Sequence, residues 1–142
     1  MHIKIFTKET KIFFRLLPYL AEAYYDGKRN LTLKELSELS KITLQGNILS
    51  TLVQGQIVRN VKIGTRSSLG YIFSRDPKEI SAFETVQILQ GIPYLKCTSE
   101  WYEKTGEVCP VCEAMGAGLE KAIEALKKLS LYDYAKVVKK EL

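Results

Sequence analysis

The sequence predicts a mainly α-helical chain with a small β-hairpin, in which a winged helix-turn-helix is followed by a long C-terminal helix. Three observations predict it. Apolar residues recur at helical spacing over successive segments. The stretch Val58–Ile63 alternates with the period of a strand. That stretch follows directly on two short helical patterns joined by a tight turn.

The first helix is expected from about Thr7 to Tyr25, where Phe6, Phe13, Leu16, Leu17, Leu20 and Tyr24 form one stripe. Thr7 suits its N-cap, because a hydroxyl there accepts from an amide of the first turn. Pro18 lies inside the pattern and is expected to kink or divide the helix. Asp26-Gly27 then supplies a turn. Thr32-Leu33-Lys34-Glu35 reads as a capping box opening a short helix, with Leu33, Leu36 and Leu39 on its buried side. After a break at Ser40-Lys41, Thr43 is expected to cap the next helix. That helix carries Ile48, Leu49, Leu52 and Val53 on one face and Asn47, Ser50, Thr51 and Gln54 on the other.

In Val58–Ile63, Val61 and Ile63 alternate with polar neighbours, Gly64–Gly70 turns the chain, and Tyr71-Ile72-Phe73 returns. A hairpin in this place is a wing, closed by Asp76-Pro77. Ile80, Phe83, Val86, Ile88 and Leu89 predict a helix from about Ser81 to Gln90, ended by Gly91 and Pro93. A loop longer than the usual connection follows and holds Cys97, Cys109 and Cys112, a length that favours function over simple linkage. The last strong helix is expected from about Glu113 to Leu129, with Leu119, Ala122, Ile123, Leu126 and Leu129 on its apolar face. Ser130 caps a final helix from Leu131 to about Val138. Residues 1–80 are thus expected to form the winged helix-turn-helix domain, and residues 81–142 the cysteine loop and C-terminal helices.

Composition narrows the class. With 142 residues, 46% of them hydrophobic and 26% charged, the chain can bury a core without disulfide staples and is not disordered. A net charge of +5, from 21 basic and 16 acidic residues, is compatible with a polyanionic partner. No apolar run reaches bilayer length, and Met1–Phe6 has no signal-peptide core, so a cytoplasmic location is expected. Three cysteines cannot all pair within one chain, and in a reducing compartment their clustering points to metal or redox chemistry. The only histidine is His2, and no paired carboxylates stand out for general acid–base work, so the chain is not expected to be an enzyme.

Three stretches carry a family resemblance. They are Leu33-Lys34-Glu35-Leu36-Ser37-Glu38, then Ile48-Leu49-Ser50-Thr51-Leu52 through Ile57-Val58-Arg59, then Gly70-Tyr71-Ile72-Phe73-Ser74-Arg75-Asp76-Pro77-Lys78-Glu79-Ile80. In that order and spacing the chain resembles, over essentially its whole length, the Rrf-type winged-helix transcription regulators. The resemblance implies a long C-terminal dimerisation helix and a symmetric homodimer on a partly palindromic operator in double-stranded DNA. Cluster-binding members carry three cysteines between the wing-side helix and the dimerisation helix, the place of Cys97, Cys109 and Cys112. The resemblance therefore implies an iron–sulfur cluster, [2Fe–2S] before [4Fe–4S], whose state switches DNA binding by shifting the spacing of the two recognition helices. The chain departs from the family pattern in three places. Thr43-Leu44-Gln45-Gly46-Asn47 is shorter, the wing keeps only Gly70 before its tyrosine, and the spacing Cys97-x11-Cys109-x2-Cys112 is less even.

Thiolates are soft donors that suit iron–sulfur clusters, zinc or copper(I). Cys109-Pro110-Val111-Cys112 sets two sulfurs on one turn before a helix, whose N-terminus favours the thiolate. Three sulfurs leave a fourth ligand open. Glu100, Glu103, Glu107 and Glu113 are local candidates. In some relatives an acidic residue of the partner subunit's first helix completes the site, and Lys8, with Glu9 adjacent, stands at the matching position here. Structural zinc, unligated thiols and a thiol–disulfide enzyme are the competing readings. Zinc normally takes four protein ligands, and the βαβ context of the thiol–disulfide enzymes is missing. Phe83, Tyr94 and Trp101 read as packing residues.

Thr43, Gln45, Asn47, Ser50 and Thr51 are the candidates for the major groove, where asparagine and glutamine pair bidentately with adenine. Thr43 and Asn47 also suit a cap, which is the role expected of Thr43. Arg66, on a tip kept slim by Gly64 and Ser67, is expected to enter the minor groove, with Arg59 and Lys62 meeting phosphates. The competing role for these wing cations is to guard an exposed hairpin edge.

Overall fold

Helix α1 (Lys8–Tyr25) supplies more of the buried core than any other element of the computed structural model, which describes residues 6–44, 46–63, 69–91 and 99–139. Its apolar stripe dictates this: Phe13, Leu16, Leu17, Leu20 and Ala21 are all buried. Thr7 caps it as expected, its hydroxyl accepting from the Thr10 amide at 3.3 Å. Pro18 does not divide the helix. The helix runs unbroken from Lys8 to Tyr25, and Pro18 is buried.

Strand β1 (Leu31–Thr32) follows, and then α2 (Leu33–Ser40), where both halves of the Thr32–Glu35 capping box form. Leu39 is a correction: it is exposed, because the inward stripe of this two-turn helix runs through Leu36 and Ser40. The Ser40 hydroxyl donates to the Leu36 carbonyl at 2.7 Å, which satisfies the buried oxygen. Lys41, in the left-handed conformation, ends the helix. Helix α3 (Gly46–Gln54) comes next, then β2 (Val58–Lys62) and β3 (Leu69–Phe73). The sheet is antiparallel, in the order β1-β3-β2, with Val58 opposite Phe73 and Leu31 opposite Tyr71. Gly70 belongs to β3 rather than to the turn, and a Cβ there would collide with the Asn30 side-chain amide.

A short 3-10 turn (Pro77–Glu79) leads to α4 (Ala82–Gln90), capped by Ser81 with Glu84 closing the box. The sequence predicts one long loop after α4. The structure instead has a short helix, α5 (Glu100–Thr105), and starts α6 (Pro110–Lys128) three residues before the expected Glu113. Pro110 occupies the first helical position, where its missing amide costs nothing. Helix α7 (Leu131–Val138) then returns to α1, with Leu131 and Ala135 fully buried. Lys139 pairs with Glu22 of α1 and lies 4.6 Å from the centre of the Tyr19 ring. No described helix is long and apolar enough to cross a membrane.

Two contacts fix α4. A Cβ added at Gly55, just after α3, would stand 2.6 Å from Ile88 Cγ2, so α3 and α4 touch at near-backbone distance. The Ala82 amide donates to the Leu129 carbonyl at 2.7 Å and the Leu131 amide to the Ile80 carbonyl at 2.8 Å, which ties the start of α4 to the α6–α7 junction. Gly55→Ala is expected to lower stability by about 1–3 kcal/mol through overpacking, read by urea unfolding.

The end of the wing is tied to α1 by Tyr25, whose phenol donates to Asp76 Oδ1, the same oxygen that accepts the Lys78 amide at 2.9 Å. Burial and the bond to Asp76 raise the Tyr25 phenol well above its ordinary value. The Tyr25 bond, with the Lys78 amide, holds the Asp76 carboxyl below its ordinary value. The Asp76 contribution to stability is therefore complete above the ordinary aspartate range and is lost as pH falls through the lowered value. The Tyr25 contribution is complete below the ordinary tyrosine range and is lost as pH rises through the raised value. Tyr25→Phe is expected to be less stable than wild type at neutral pH, with the gap closing in acid. Unfolding curves at the two pH values check this.

Candidate nucleic-acid interface and cysteine turn

Helix α3 buries Ile48, Leu49 and Leu52 and leaves Asn47, Ser50 and Gln54 exposed, with Thr51 half-buried at the edge of the polar face. This is the division of faces that the apolar spacing predicts. The turn before it is held from two sides. Arg15 Nη2 donates to the Ser40 carbonyl at 2.9 Å, and the Leu44 amide donates to the Ser37 hydroxyl at 3.4 Å. Thr43 is exposed but is not the cap of α3, because the helix begins at Gly46 and Thr43 lies too far before it. Gln45 falls outside the described residues. The Thr51 hydroxyl donates to the Asn47 carbonyl at 3.0 Å.

On the wing, Arg59, Asn60 and Lys62 of β2 are exposed while Val58 packs inward. Arg66 and Ser67 fall outside the described residues. Val53, Gln56, Arg59, Asn60, Ser74 and Arg75 line a cleft of about 330 Å3 between the end of α3 and the wing. Its two arginines differ. Arg75 donates to the Glu79 carbonyl at 2.9 Å and pairs with Glu84, so its charge is matched. Arg59 has no acidic partner among the described residues. On the other side of α3, a groove of about 420 Å3 brings Lys8 and Glu9 of α1 beside Thr43, Asn47 and Thr51, with Leu89 of α4.

Cys109 is the N-cap of α6, and its Sγ accepts from the Cys112 amide at 3.4 Å. Cys112 therefore sits in the first turn of a helix, not in a loop as the sequence suggests, and both thiols are half-buried. The first turn of a 19-residue helix thus carries two sulfurs, soft donors of the kind that suit a soft metal. Cys97 falls outside the described residues. Among the described residues, no three histidine, cysteine or acidic side chains come close enough to hold a metal ion by themselves. Two thiols on one turn fit part of a cluster or zinc site.

One link between distant segments has no sequence signal. Gln90 Oε1, at the end of α4, accepts from the Thr7 amide at 2.9 Å and from the Thr10 hydroxyl at 2.8 Å. It clamps the start of α1 to the residue just before the cysteine-bearing segment.

The elements and their order define a winged helix-turn-helix chain extended by a long helix. Solved regulators share that fold along their whole length. CymR (YrzC) of B. subtilis, the global cysteine regulator, matches with a TM-score of 0.72 at 18% identity, over 96% of this chain and 98% of its own. IscR of T. potens matches with a TM-score of 0.69 at 18% identity, over 99% of this chain and 92% of its own. The oxidized form of S. aureus CymR matches with a TM-score of 0.64 at 20% identity, over 94% and 97%. No family model and no curated protein matches the sequence. At these identities the likeness establishes the fold.

Because Cys109 is also a cap, its structural and ligating roles separate by substitution. Serine is a strong N-cap residue, so Cys109→Ser is expected to keep the melting midpoint of the metal-free protein at or above that of wild type, while Cys109→Ala lowers it. Circular dichroism melts in a chelator check this.

Proposed function

We propose that the chain is a homodimeric transcription regulator that binds a partly palindromic operator in double-stranded DNA, and that Cys97, Cys109 and Cys112 hold an iron–sulfur cluster, [2Fe–2S] before [4Fe–4S], that sets its affinity. The observation that carries the DNA reading is α3: one face buried, the other polar and exposed, beside a hairpin whose Arg59 and Lys62 are exposed. A helix and a wing so placed are suited to a major groove and its flanking phosphates. The division of the chain follows the same logic, with residues 1–80 as the reader and residues 81–142 as the sensing and pairing part, at work in the cytoplasm where the DNA is.

The dimer reading rests on α6. None of its described residues is buried; Val111 is 71% exposed and Met115 60% exposed. With the half-buried Leu119, Ile123 and Leu126 they form a stripe along a helix about 28 Å long, at about 1.5 Å per residue. A stripe of that length is suited to the same stripe on a second copy. Pairing through it would present two copies of α3 to half-sites about one DNA turn apart.

When bound, the cluster supplies a redox- and oxygen-sensitive tie among the cysteines. The chain's own residues carry its effect. Cys97 lies in the segment after α4, which Gln90 anchors to α1, which Ile88 packs against α3, and whose start is bonded to the α6–α7 junction. A shift of that segment thus has a packed route to the recognition helix. Structural zinc is the second reading, favoured by the Cys109–Cys112 turn itself. Unligated thiols, a thiol-redox enzyme and a protein-interaction module have less support, and we read the chain as not an enzyme.

Anaerobic purification with absorption spectroscopy and metal analysis tests the proposal. The expected product is coloured, contains iron and sulfide, and loses its colour in Cys97→Ala, Cys109→Ala and Cys112→Ala alike. Colourless protein with stoichiometric zinc would replace the cluster by the second reading. Sedimentation is expected to give a dimer, and a fragment from upstream of the protein's own coding sequence is expected to bind with steep salt dependence. A monomer that binds no duplex would overturn the regulator reading.

A further inference from the structure

We infer that α3 reads its half-site at A·T pairs through amide, hydroxyl and methyl groups, and that the attraction to phosphate resides in the wing. The inference rests on the DNA-binding reading above and specifies its chemistry.

Helix α3, Gly-Asn-Ile-Leu-Ser-Thr-Leu-Val-Gln, carries no charged residue. In the major groove, guanine offers two acceptors, N7 and O6, and the side chains that match them bidentately are arginine and lysine. Adenine offers an acceptor beside a donor, the complement of an asparagine or glutamine amide. Asn47 and Gln54 bear such amides on the exposed face, with Ser50 between them. They are seven residues apart, about 10.5 Å of helix rise, roughly three base-pair steps of 3.4 Å. Thr51 donates its hydroxyl proton to the Asn47 carbonyl, so what it can still offer a base is the hydroxyl's acceptor lone pairs and its methyl group, the counterpart of the thymine methyl. In the groove beside the first turn of α3 the charged residues are Lys8 and Glu9, of opposite sign, so that end of the helix gains no net cation.

The wing side differs. Arg59 is exposed and has no acidic partner among the described residues, and Gln56, Asn60 and Ser74 join it around the cleft between α3 and the wing. A phosphate there would meet one unmatched guanidinium and the side-chain amides of Gln56 and Asn60, while the Ser74 hydroxyl already donates to the Gln56 and Ile57 carbonyls. The neighbouring Arg75 is already paired with Glu84. Lys62 extends the same strand.

The test uses the purified dimer under anaerobic conditions. Duplexes selected from a randomised library are resynthesised with 7-deazaadenine or 7-deazaguanine, each of which lacks the N7 acceptor, and titrated by fluorescence anisotropy at several salt concentrations. Replacing adenine is expected to weaken binding about tenfold or more at the helix-contacted positions, and replacing guanine to leave it unchanged. Asn47→Ala is expected to lose discrimination at one A·T pair while keeping the salt slope. Arg59→Ala is expected to weaken all duplexes alike and to lower the slope by about one. Selected sites that weaken with 7-deazaguanine and tolerate 7-deazaadenine would overturn this inference and leave the regulator reading intact. A dimer that enriches no duplex would overturn both. Because the base analogues are read with the wild-type protein, the test does not depend on either variant folding.

Discussion

The fold depends on the burial of α1. A helix whose stripe includes Phe13, Leu16, Leu17 and Leu20 exposes too much apolar surface to stand alone, and each of those side chains is worth about 1.5–3 kcal/mol when covered. The cover comes from two distant parts of the chain. Leu36, Leu49 and Leu52 of the helix-turn-helix, with Phe73 of the wing, close one part of it, and Leu131 and Ala135 of α7 close another. The position of α3 is thus set by the same core that anchors the C-terminal end. A shift of α7 would reach α3 through the packed contacts of that core.

Helix α6 is the counterpoint. It is the longest described element, yet none of its residues is fully buried within its own chain, while the much shorter α7 is firmly held. The contrast assigns the two helices different work. One completes the fold, and the other keeps an apolar stripe open and carries two thiols at its positive end. Between them, the paired bonds at Ile80–Leu131 and Ala82–Leu129 hold their junction to the start of α4.

What is legible in the sequence is what local chemistry decides. The Thr32–Glu35 box, the Thr7 and Ser130 caps and the two faces of α3 each need only neighbours a turn away, and each forms as its spacing predicts. Leu39 departs from its pattern because a two-turn helix has room for one inward stripe, and Leu36–Ser40 takes it. Strand β1 has two residues and exists only through its pairing with β3. Helix α5 buries none of its residues, so it has no apolar period to show. Pro110 has the look of a loop end but starts a helix, and Cys109 caps that helix although cysteine is not a usual cap. The Gln90 clamp and the Gly55–Ile88 approach join residues far apart in sequence, where no spacing rule reaches. For the cysteine centre, the pairing of Cys109 with Cys112 on one turn follows from their spacing, whereas their place at the head of a helix that has already begun does not.

The return of α7 to α1 also orders events in time. During synthesis the winged half emerges from the ribosome first, and domains commonly fold as they emerge. Here Leu131 and Ala135 are part of the same core as Phe13 and Leu17, so the earlier residues stay incompletely sealed until the later ones have been made. A nascent chain released early would carry the winged helix-turn-helix on an open core, fit for proteolysis. Synthesis of α7 is thus the step that closes the winged half.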